Sequence, residues 1–319
     1  MKRGLILGAN DDEFRNFKKM LENDGELDVC ICGFSDLNYD LDGDNTKIFI
    51  KQTGEDVRNF DKIVVMVMAK QMINCSTYSA LSCYCRKNRI NLTDEPIISD
   101  IFGKLYQMWK LWEQDVPVPK TAFGDAEFLV QKLAGYGGKA ILKPILGSMG
   151  NNNYFVQSEE QLRKIVGENV DKDCHNVFIL QEYIENTQDV RIYSLDYKAK
   201  LSVIRTATTW ENGESAVFGR NIAAIFYPET NQIPEAMTKN LSESEVLGML
   251  PSQENLKRFS DVGVKASKAL GVGLSGVDLV WDKKVNRPVV LEVNRTPHIT
   301  YKIFAEQKMK VVRDWLVEN

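Results

Sequence analysis

The chain has 319 residues, of which 44% are hydrophobic and 26% are charged, and its formal net charge is −4. This length exceeds what one hydrophobic core usually holds, so we expect two or three domains. The net charge is small and no long block of one sign occurs, which argues against nucleic acid or an anionic membrane as a partner.

Cysteine and histidine usage limits the metal and redox chemistry of the chain. The six cysteines include no C-x-x-C pair and there are two histidines, which argues against a zinc site. The cysteines fit a reducing cytoplasm as small, mostly buried apolar residues. The N-terminus lacks the pattern of a signal peptide, and no apolar run reaches the length of a membrane span. We therefore expect a cytoplasmic protein.

The N-terminal segment, residues 1–97, alternates between apolar strands and helices, which predicts a small doubly wound α/β domain. Gly4 and Gly8 do not form a G-x-G-x-x-G fingerprint, so we expect this domain to line a substrate cleft and not to bind a dinucleotide. The predicted strands cover residues 2–9, 27–32, 63–68 and 90–93, and the predicted helices run from 12 to 23 and from 76 to 87.

A helix is predicted from Asp100 to Glu113, and the proline-punctuated segment VPVPKTAF after it would begin a new domain. Lys104 lies off the apolar stripe of this helix, and taken alone it is most simply a solvated surface lysine. The apolar stripe, which is typical of a helix with one buried face, comprises Phe102, Leu105, Met108, Trp109 and Trp112.

A glycine-rich loop, ILGSMGNNN, joins a strand over residues 139–144 to a strand over 154–157. Gly147, Ser148 and Gly150 allow backbone N–H groups to close over phosphates, and Lys143 can reach a phosphate from the end of the first strand. No helix with G-K-[ST] follows, so this is not a Walker motif. The alternative is a hairpin loop that binds no ligand.

Three arginines lie on predicted strands that would belong to one sheet in the second half of the chain. Single arginines at strand ends are mostly surface residues, but Arg191, Arg205 and Arg220 together are less easily explained in that way. A long polar excursion follows over residues 228–257, and an amphipathic helix is predicted from Lys257 to Leu270.

A hairpin is predicted from strands at 276–281 and 288–294, joined by a polar turn. We expect Leu291 and Val293 to share one face of the second strand, because side chains alternate across a strand. On the opposite face, a hairpin centred on Val285 sets Asp278 directly across from Glu292.

Like charges in such opposed positions destabilise a sheet, so a cation is needed between the two carboxylates. Asn294 adds a third oxygen on the face that carries Asp278 and Glu292. Three convergent oxygens suit a hard cation such as Mg²⁺. The alternative is the solvent-facing polar side of an ordinary hairpin.

Five segments, in this order, resemble the ATP-grasp superfamily of carboxylate–amine ligases, and most closely its RimK-like group of α-L-glutamate ligases. The segments are DIFGKLYQMWKLWEQDVPVPKT, ILKPILGSMGNN, FILQEYIENTQDVRIYSLD, FGRN and GVGLSGVDLVWDKKVNRPVVLEVNRTP. The resemblance implies a mixed α/β and α+β fold, an ATP-grasp fold preceded by a small doubly wound domain. It divides the chain into an N-terminal domain (1–97), a central subdomain with the glycine-rich lid (98–175) and a C-terminal subdomain with the metal site (176–319).

The same resemblance implies ATP and two Mg²⁺ ions, with Mn²⁺ as an alternative, and a role for each matching residue. Lys104 and Lys143 would bind the ATP phosphates beneath a mobile lid of Gly147, Ser148 and Gly150. The adenine pocket would be lined by Gln181, Glu182, Tyr183 and Ile184, and the ribose would meet Asp189. Arg205, Arg220 and Asn221 would face the transferred phosphoryl group and the acyl intermediate. The metal ligands would be Asp278, Glu292 and Asn294.

The reaction implied is formation of an amide bond between a carboxylate donor and an amine acceptor through an acyl phosphate. Addition of a glutamate-like amino acid to a peptide, protein or cofactor terminus is the first hypothesis. A peptide maturase that closes ester or amide rings and a non-catalytic nucleotide-binding module are the alternatives. Neither nucleic acid nor a membrane is expected as a partner, and a homo-oligomer is left open.

Departures from the family pattern cluster on the acceptor side. The lid continues as Asn151-Asn152-Asn153, Asn221 is followed by IAAIF where paired glycines are usual, and His298 stands where a glycine is expected. The reaction class is therefore better defined than the substrate.

Overall fold

The computed structural model describes residues 1–8, 12–41, 45–66, 72–93, 99–145, 153–168, 178–186, 188–206, 210–211, 214–215, 222–228, 251–295, 297, 299 and 304–318. The helices are α1 (Asp12–Leu21), α2 (Met72–Asn88), α3 (Ser99–Glu113), α4 (Ala126–Gly135), α5 (Glu159–Glu168), α6 (Gln253–Ala269) and α7 (Ala305–Val317).

The strands, in chain order, form four separate sheets. They are β1 (Lys2–Leu7), β2 (Leu27–Cys32), β3 (Leu37–Asp40), β4 (Lys47–Ile50), β5 (Lys62–Val65), β6 (Asn91–Leu92), β7 (Thr121–Ala122), β8 (Ala140–Pro144), β9 (Tyr154–Val156), β10 (Phe178–Glu182), β11 (Gln188–Leu195), β12 (Lys198–Thr206), β13 (Trp210–Glu211), β14 (Glu214–Ser215), β15 (Ile222–Phe226), β16 (Leu274–Asp282) and β17 (Arg287–Asn294).

The N-terminal part is the doubly wound domain that the alternating pattern predicts. Its parallel sheet has the order β2-β1-β5-β6. Both faces of this sheet are covered, so alternate residues of a strand are buried on opposite sides. On β1, Leu5 and Leu7 pack with Tyr78 of α2, whereas Ile6 packs with Phe17 of α1. The small antiparallel pair β3–β4 beside this sheet was not predicted.

The central sheet has the order β13-β14-β9-β8-β10-β7, and helices α4 and α5 cover one of its faces. Leu142, Leu180 and Phe178 point into that core with Leu129 of α4 and Leu162 of α5. The predicted division at residue 175 stays a prediction, and β10 pairs across it with β8.

The C-terminal sheet is antiparallel, with the order β15-β12-β11-β16-β17, and α6 packs against one of its faces. A Cβ at Gly263 of α6 would lie 2.9 Å from Ile192 of β11, so the helix approaches the strand as closely as glycine allows. The opposite face carries the polar residues of the predicted site.

Helix α7 joins the two ends of the chain in one core. Val312 and Trp315 pack with Ile6 and Phe17 of the N-terminal domain and also with Leu201 of β12. The N-terminal domain is thereby attached to the sheet face that carries the predicted site. Among the described residues, none of the helices has both the length and the apolar character that crossing a bilayer requires.

The apolar stripe predicted for α3 is wrong in part. Met108 and Leu111 are buried, but Trp109 and Trp112 are 61% and 64% exposed and contact each other edge to face. The side chain that takes up the buried face instead is the polar Gln107.

The N-terminal domain and the hairpin meet at a contact that only glycine permits. A Cβ at Gly273 would lie 1.4 Å from the backbone oxygen of Thr93, which follows β6. We expect Gly273→Ala to lower the free energy of unfolding by about 1–3 kcal/mol, because one of the two backbones has to move. Urea denaturation measures this change.

Gly167→Ala in α5 is the matched control. Its new methyl group meets nothing within 4 Å, and alanine favours the helix by about 1 kcal/mol at most. Equal stability of the two variants would contradict the close approach at Gly273.

Candidate active site

A row of charged side chains crosses four neighbouring strands of the C-terminal sheet. Asp189 is opposite Arg205 between β11 and β12, Arg191 is opposite Asp278 between β11 and β16, and Asp278 is opposite Glu292 between β16 and β17. Directly opposed residues of neighbouring strands share a face. All five side chains therefore lie on the face that α6 does not cover.

The row is held by short hydrogen bonds between ions. Arg191 donates from Nε and Nη2 to the two oxygens of Asp278, at 2.6 Å each. Arg205 donates from Nη2 to Oδ1 of Asp278 at 2.8 Å and from Nε to Oδ1 of Asp189 at 2.6 Å. Asp278 thus accepts bonds from two guanidinium groups, and Arg205 bridges two carboxylates.

These ion pairs lie largely out of solvent, which strengthens them and makes them costly to break. Asp189, Arg205 and Asp278 are each less than 9% exposed. Burial alone would lower the pKa of Arg191, but the charge of Asp278 and its hydrogen bonds raise that pKa overall. Burial also lowers the pKa of Arg205, and the charges of Asp189 and Asp278 outweigh it.

The predicted pairing of Asp278 with Glu292 is confirmed. The metal ion predicted between these two carboxylates stays a prediction. In this structure the cations are the two guanidinium groups on Asp278. Asn294 lies on the same face, and its Nδ2 donates to Oδ2 of Asp278 at 3.3 Å.

One expectation for the hairpin is wrong. A β-bulge between Asp278 and Leu279 leaves Leu291 without an opposed residue, so the alternation of β17 shifts there. Val293 packs in the core beneath α6. Leu291 instead packs on the side of the charged row, against a small cluster that contains Val280 and Ile184.

The strand that carries Glu292 and Asn294 is the edge of its sheet, and α3 holds that edge in place. Gln107 donates from Nε2 to the backbone oxygen of Val293 at 3.0 Å and accepts from its N–H at 3.2 Å. The Gln107 amide thus forms hydrogen bonds with the N–H and the C=O of Val293, which lies between the two predicted metal ligands of β17. A further strand of the sheet would form the same two bonds.

The two lysines predicted to bind phosphate lie close together in the backbone. Helix α3 is kinked at Gly103, whose φ of 68° and ψ of −166° are accessible to glycine alone. After this kink, the N–H of Lys104 donates to the oxygen of Ile145 at 2.9 Å, two residues beyond Lys143. Both lysines are half-buried, and their role in phosphate binding stays a prediction.

Five predicted site residues lie outside the described part of the chain. They are the lid residues Gly147, Ser148 and Gly150, together with Arg220 and Asn221. His298 also lies outside it.

The residues predicted to contact adenine line the end of β10. Gln181 is opposed to Ile141, which lies two residues before Lys143 on β8, so Gln181 and Lys143 share a face. The intervening residues Leu142 and Leu180 point into the α4–α5 core. The Gln181 Nε2 donates to Thr121, whereas its Oε1 is buried and has no hydrogen-bond partner among the described residues. A buried acceptor of this kind fits a ligand with an N–H donor, such as the amino group of adenine.

The next three residues connect the two sheets. Glu182 lies within 3.7 Å of Lys120 and 3.2 Å of Lys284 in the hairpin turn. The Tyr183 ring packs on Phe155 at 4.7 Å, and Ile184 is buried in the cluster with Val280. The N–H groups of Glu182 and Tyr183 donate to backbone oxygens of this chain, so the adenine role of this segment stays a prediction.

The donor set of the hairpin fits a hard divalent cation. Two opposed carboxylates and one amide provide oxygen ligands on one face, and Mg²⁺ prefers such ligands. Within the described residues, no three His, Cys, Asp or Glu side chains form a metal cluster. A cation here would therefore rely on Asn294 and on oxygens of the substrate. The assignment of Asp278, Glu292 and Asn294 as ligands, like the ribose role of Asp189, stays a prediction.

Two residues of the site were not among the predicted site residues. Arg191 is separated from Asp189 by one residue on the same strand, and this spacing sets both on one face. That signal was present in the sequence. Gln107 has no such signal, because its partner is a peptide group 186 positions away.

A family model described as the ATP-grasp domain matches residues 102–300. The chain is 25% identical over 212 residues to a probable alpha-L-glutamate ligase of Legionella pneumophila, which is 65% of this chain and 59% of that protein. It thus spans less than two thirds of the length of this curated relative.

Solved structures of the same fold cover almost the whole chain. One is the ATP-grasp ligase PsnB complexed with minimal precursor, with a TM-score of 0.65 and 14% identity, covering 99% of this chain and 98% of that chain. Another is a RimK domain protein from Sphaerobacter thermophilus, with a TM-score of 0.58 and 15% identity, covering 99% of this chain and 100% of that one.

Gln107→Glu tests how the edge strand is held, because it preserves the shape of the side chain and removes its donor. A carboxylate oxygen would then face the backbone oxygen of Val293. We expect the free energy of unfolding to fall by about 1–3 kcal/mol, which urea denaturation detects. Gln157→Glu, on an exposed side chain, controls for the added charge and should change stability by less than about 0.5 kcal/mol. Indistinguishable stabilities would contradict the role of Gln107.

Proposed function

The chain belongs to the ATP-grasp family of ligases, in its RimK-like group, and on that premise we propose that it joins a carboxylate to an amine at the expense of ATP. The observation that carries this proposal is the row of charged side chains on four adjacent strands, Arg205, Asp189, Arg191, Asp278 and Glu292. Asp189, Arg205 and Asp278 are buried, and the other two are half-buried. Such a concentration of buried charge is costly to fold, and perturbed, desolvated charges are typical of functional sites.

The proposed reaction begins with attack of a substrate carboxylate oxygen on the γ-phosphorus of ATP, with ADP as the leaving group. The acyl phosphate formed is then attacked at its carbonyl carbon by an amine, which loses a proton as phosphate departs. Both steps bring anions together, so positioning and charge neutralisation account for most of the catalysis.

Arg191 and Arg205 are well suited to these steps. Their guanidinium groups present planar pairs of donors, which match carboxylate and phosphate oxygens. Lys104 and Lys143 would neutralise the remaining phosphate charge. The reaction requires no covalent nucleophile of the protein.

Asp278, Glu292 and Asn294 would hold Mg²⁺, which ATP-grasp ligases use together with ATP and which would supply charge neutralisation on the phosphate oxygens. Apolar side chains border this face, and we expect them to help exclude water from the acyl phosphate. Tyr193 extends the face towards the core of the N-terminal domain, and the Ile184 cluster closes the other end.

For the substrates, we propose a glutamate-like amino acid as one partner and the terminus of a peptide, protein or cofactor as the other. The Legionella relative named as a probable alpha-L-glutamate ligase supports this class. A maturase that closes rings within a peptide is the second candidate, supported by the similarity in fold to a ligase solved with its minimal precursor. The intact charged row argues against a module that has lost turnover.

Incubation with Mg-ATP and pooled amino acids and peptides, followed by assays for ADP and mass spectrometry, tests the proposal. Gain of the mass of an amino acid residue indicates ligation to a terminus, and loss of water indicates ring closure. Tight binding of Mg-ATP without turnover on any acceptor would refute the ligase proposal.

We expect Glu292→Ala to abolish turnover while the fold persists, because the edge strand remains held by Gln107 and by its pairing with β16. ADP release and circular dichroism measure the two properties. Glu168→Ala, at the exposed end of α5, is the control and should retain full activity. Activity of the Glu292 variant near that of the control would refute the metal role of this carboxylate.

A further inference from the structure

The Asp278 carboxylate accepts hydrogen bonds from two guanidinium groups and one side-chain amide in this structure. Arg191 donates to both of its oxygens at 2.6 Å, and Arg205 donates to Oδ1 at 2.8 Å. Asn294 adds a bond to Oδ2 at 3.3 Å. A carboxylate has about four acceptor positions, and the described residues fill them.

Arginine and a divalent cation cannot share this carboxylate in its present arrangement. A cation such as Mg²⁺ binds its ligand oxygens at about 2.0–2.1 Å. It must also lie in the plane of the carboxylate lone pairs. The bidentate guanidinium of Arg191 occupies that plane in front of Asp278. Binding of a metal ion at Asp278 therefore requires Arg191 to move away.

The two arginines differ in what holds them. Arg205 is anchored independently, because its Nε donates to Asp189 at 2.6 Å. The short bonds that the described residues provide to Arg191 both go to Asp278. Arg191 is therefore the group that a metal ion would displace.

We propose that Arg191 competes with the divalent cation for Asp278 and so makes metal binding dependent on the nucleotide. This inference rests on the proposed function. A metal ion that arrives alone displaces Arg191 and leaves a buried guanidinium without its anion, which is unfavourable. A nucleotide that arrives with the metal ion brings phosphate oxygens, which can accept the hydrogen bonds that Arg191 gives up.

The coupling acts in both directions. If the nucleotide strengthens metal binding by giving Arg191 a new partner, the metal ion strengthens nucleotide binding by the same factor. Metal and nucleotide would then enter together, and Arg191 would turn towards the phosphates only when both are present.

Arg191→Met tests the competition, because it keeps much of the length of the side chain and removes its charge and donors. Binding of Mn²⁺ without nucleotide, followed by electron paramagnetic resonance, should become about tenfold tighter than in the wild-type chain. The strengthening of Mn²⁺ binding by a non-hydrolysable ATP analogue should shrink. Arg163→Met on α5, which removes the same charge far from the row, should leave Mn²⁺ affinity within about twofold of wild type.

Arg191→Lys provides a second variant if the methionine variant does not fold. A lysine retains the charge but cannot form the bidentate contact, so Mn²⁺ affinity without nucleotide should rise by a smaller factor. Unchanged or weaker Mn²⁺ binding in these variants, while wild-type protein still binds Mn²⁺ together with the nucleotide, would overturn the competition and leave the proposed function intact. Failure of the wild-type chain to bind metal with nucleotide would instead refute the proposed function.

Discussion

The ionic contact between Asp278 and two arginines is the constraint to which the rest of the C-terminal sheet conforms. Buried charges of this kind are tolerated only when each has an opposite partner at hydrogen-bond distance. Asp278 and its two arginine partners come from three different strands, so a shift of register in any of these strands would separate them. The ion pairs of the charged row can therefore form only in the observed register of β12, β11 and β16.

The surroundings of the row explain how it stays in place. On the far side of the sheet, α6 covers a continuous apolar core that fixes which face is polar. On the near side, the N-terminal domain and α7 cover one end of the face, and the Ile184 cluster covers the other. The charged row thus lies between two apolar regions, which lowers its exposure to water and strengthens its ion pairs.

Function in an ATP-grasp ligase depends on groups from distant segments acting at one point. Here α3 provides that link, since one turn of it carries both Lys104 and Gln107. The first is tied by its backbone to the end of β8, and the second to the edge strand β17. Helix α3 therefore contacts both the end of the strand before the predicted lid and the edge strand of the hairpin.

Local patterns in the sequence determined most of the elements, the doubly wound N-terminal domain and the pairing of Asp278 with Glu292. Alternation along a strand and the length of a turn are enough for that pairing, because both act within a few residues. Tertiary structure alone decided the rest. Trp109 and Trp112 are exposed, whereas the polar Gln107 is buried and binds a peptide group of β17. Leu291 changes face because of a bulge. The partners of Asp278 are also decided by the tertiary structure. Arg191 and Arg205 reach Asp278 through pairing of strands that are far apart in the chain, and no local pattern specifies this contact.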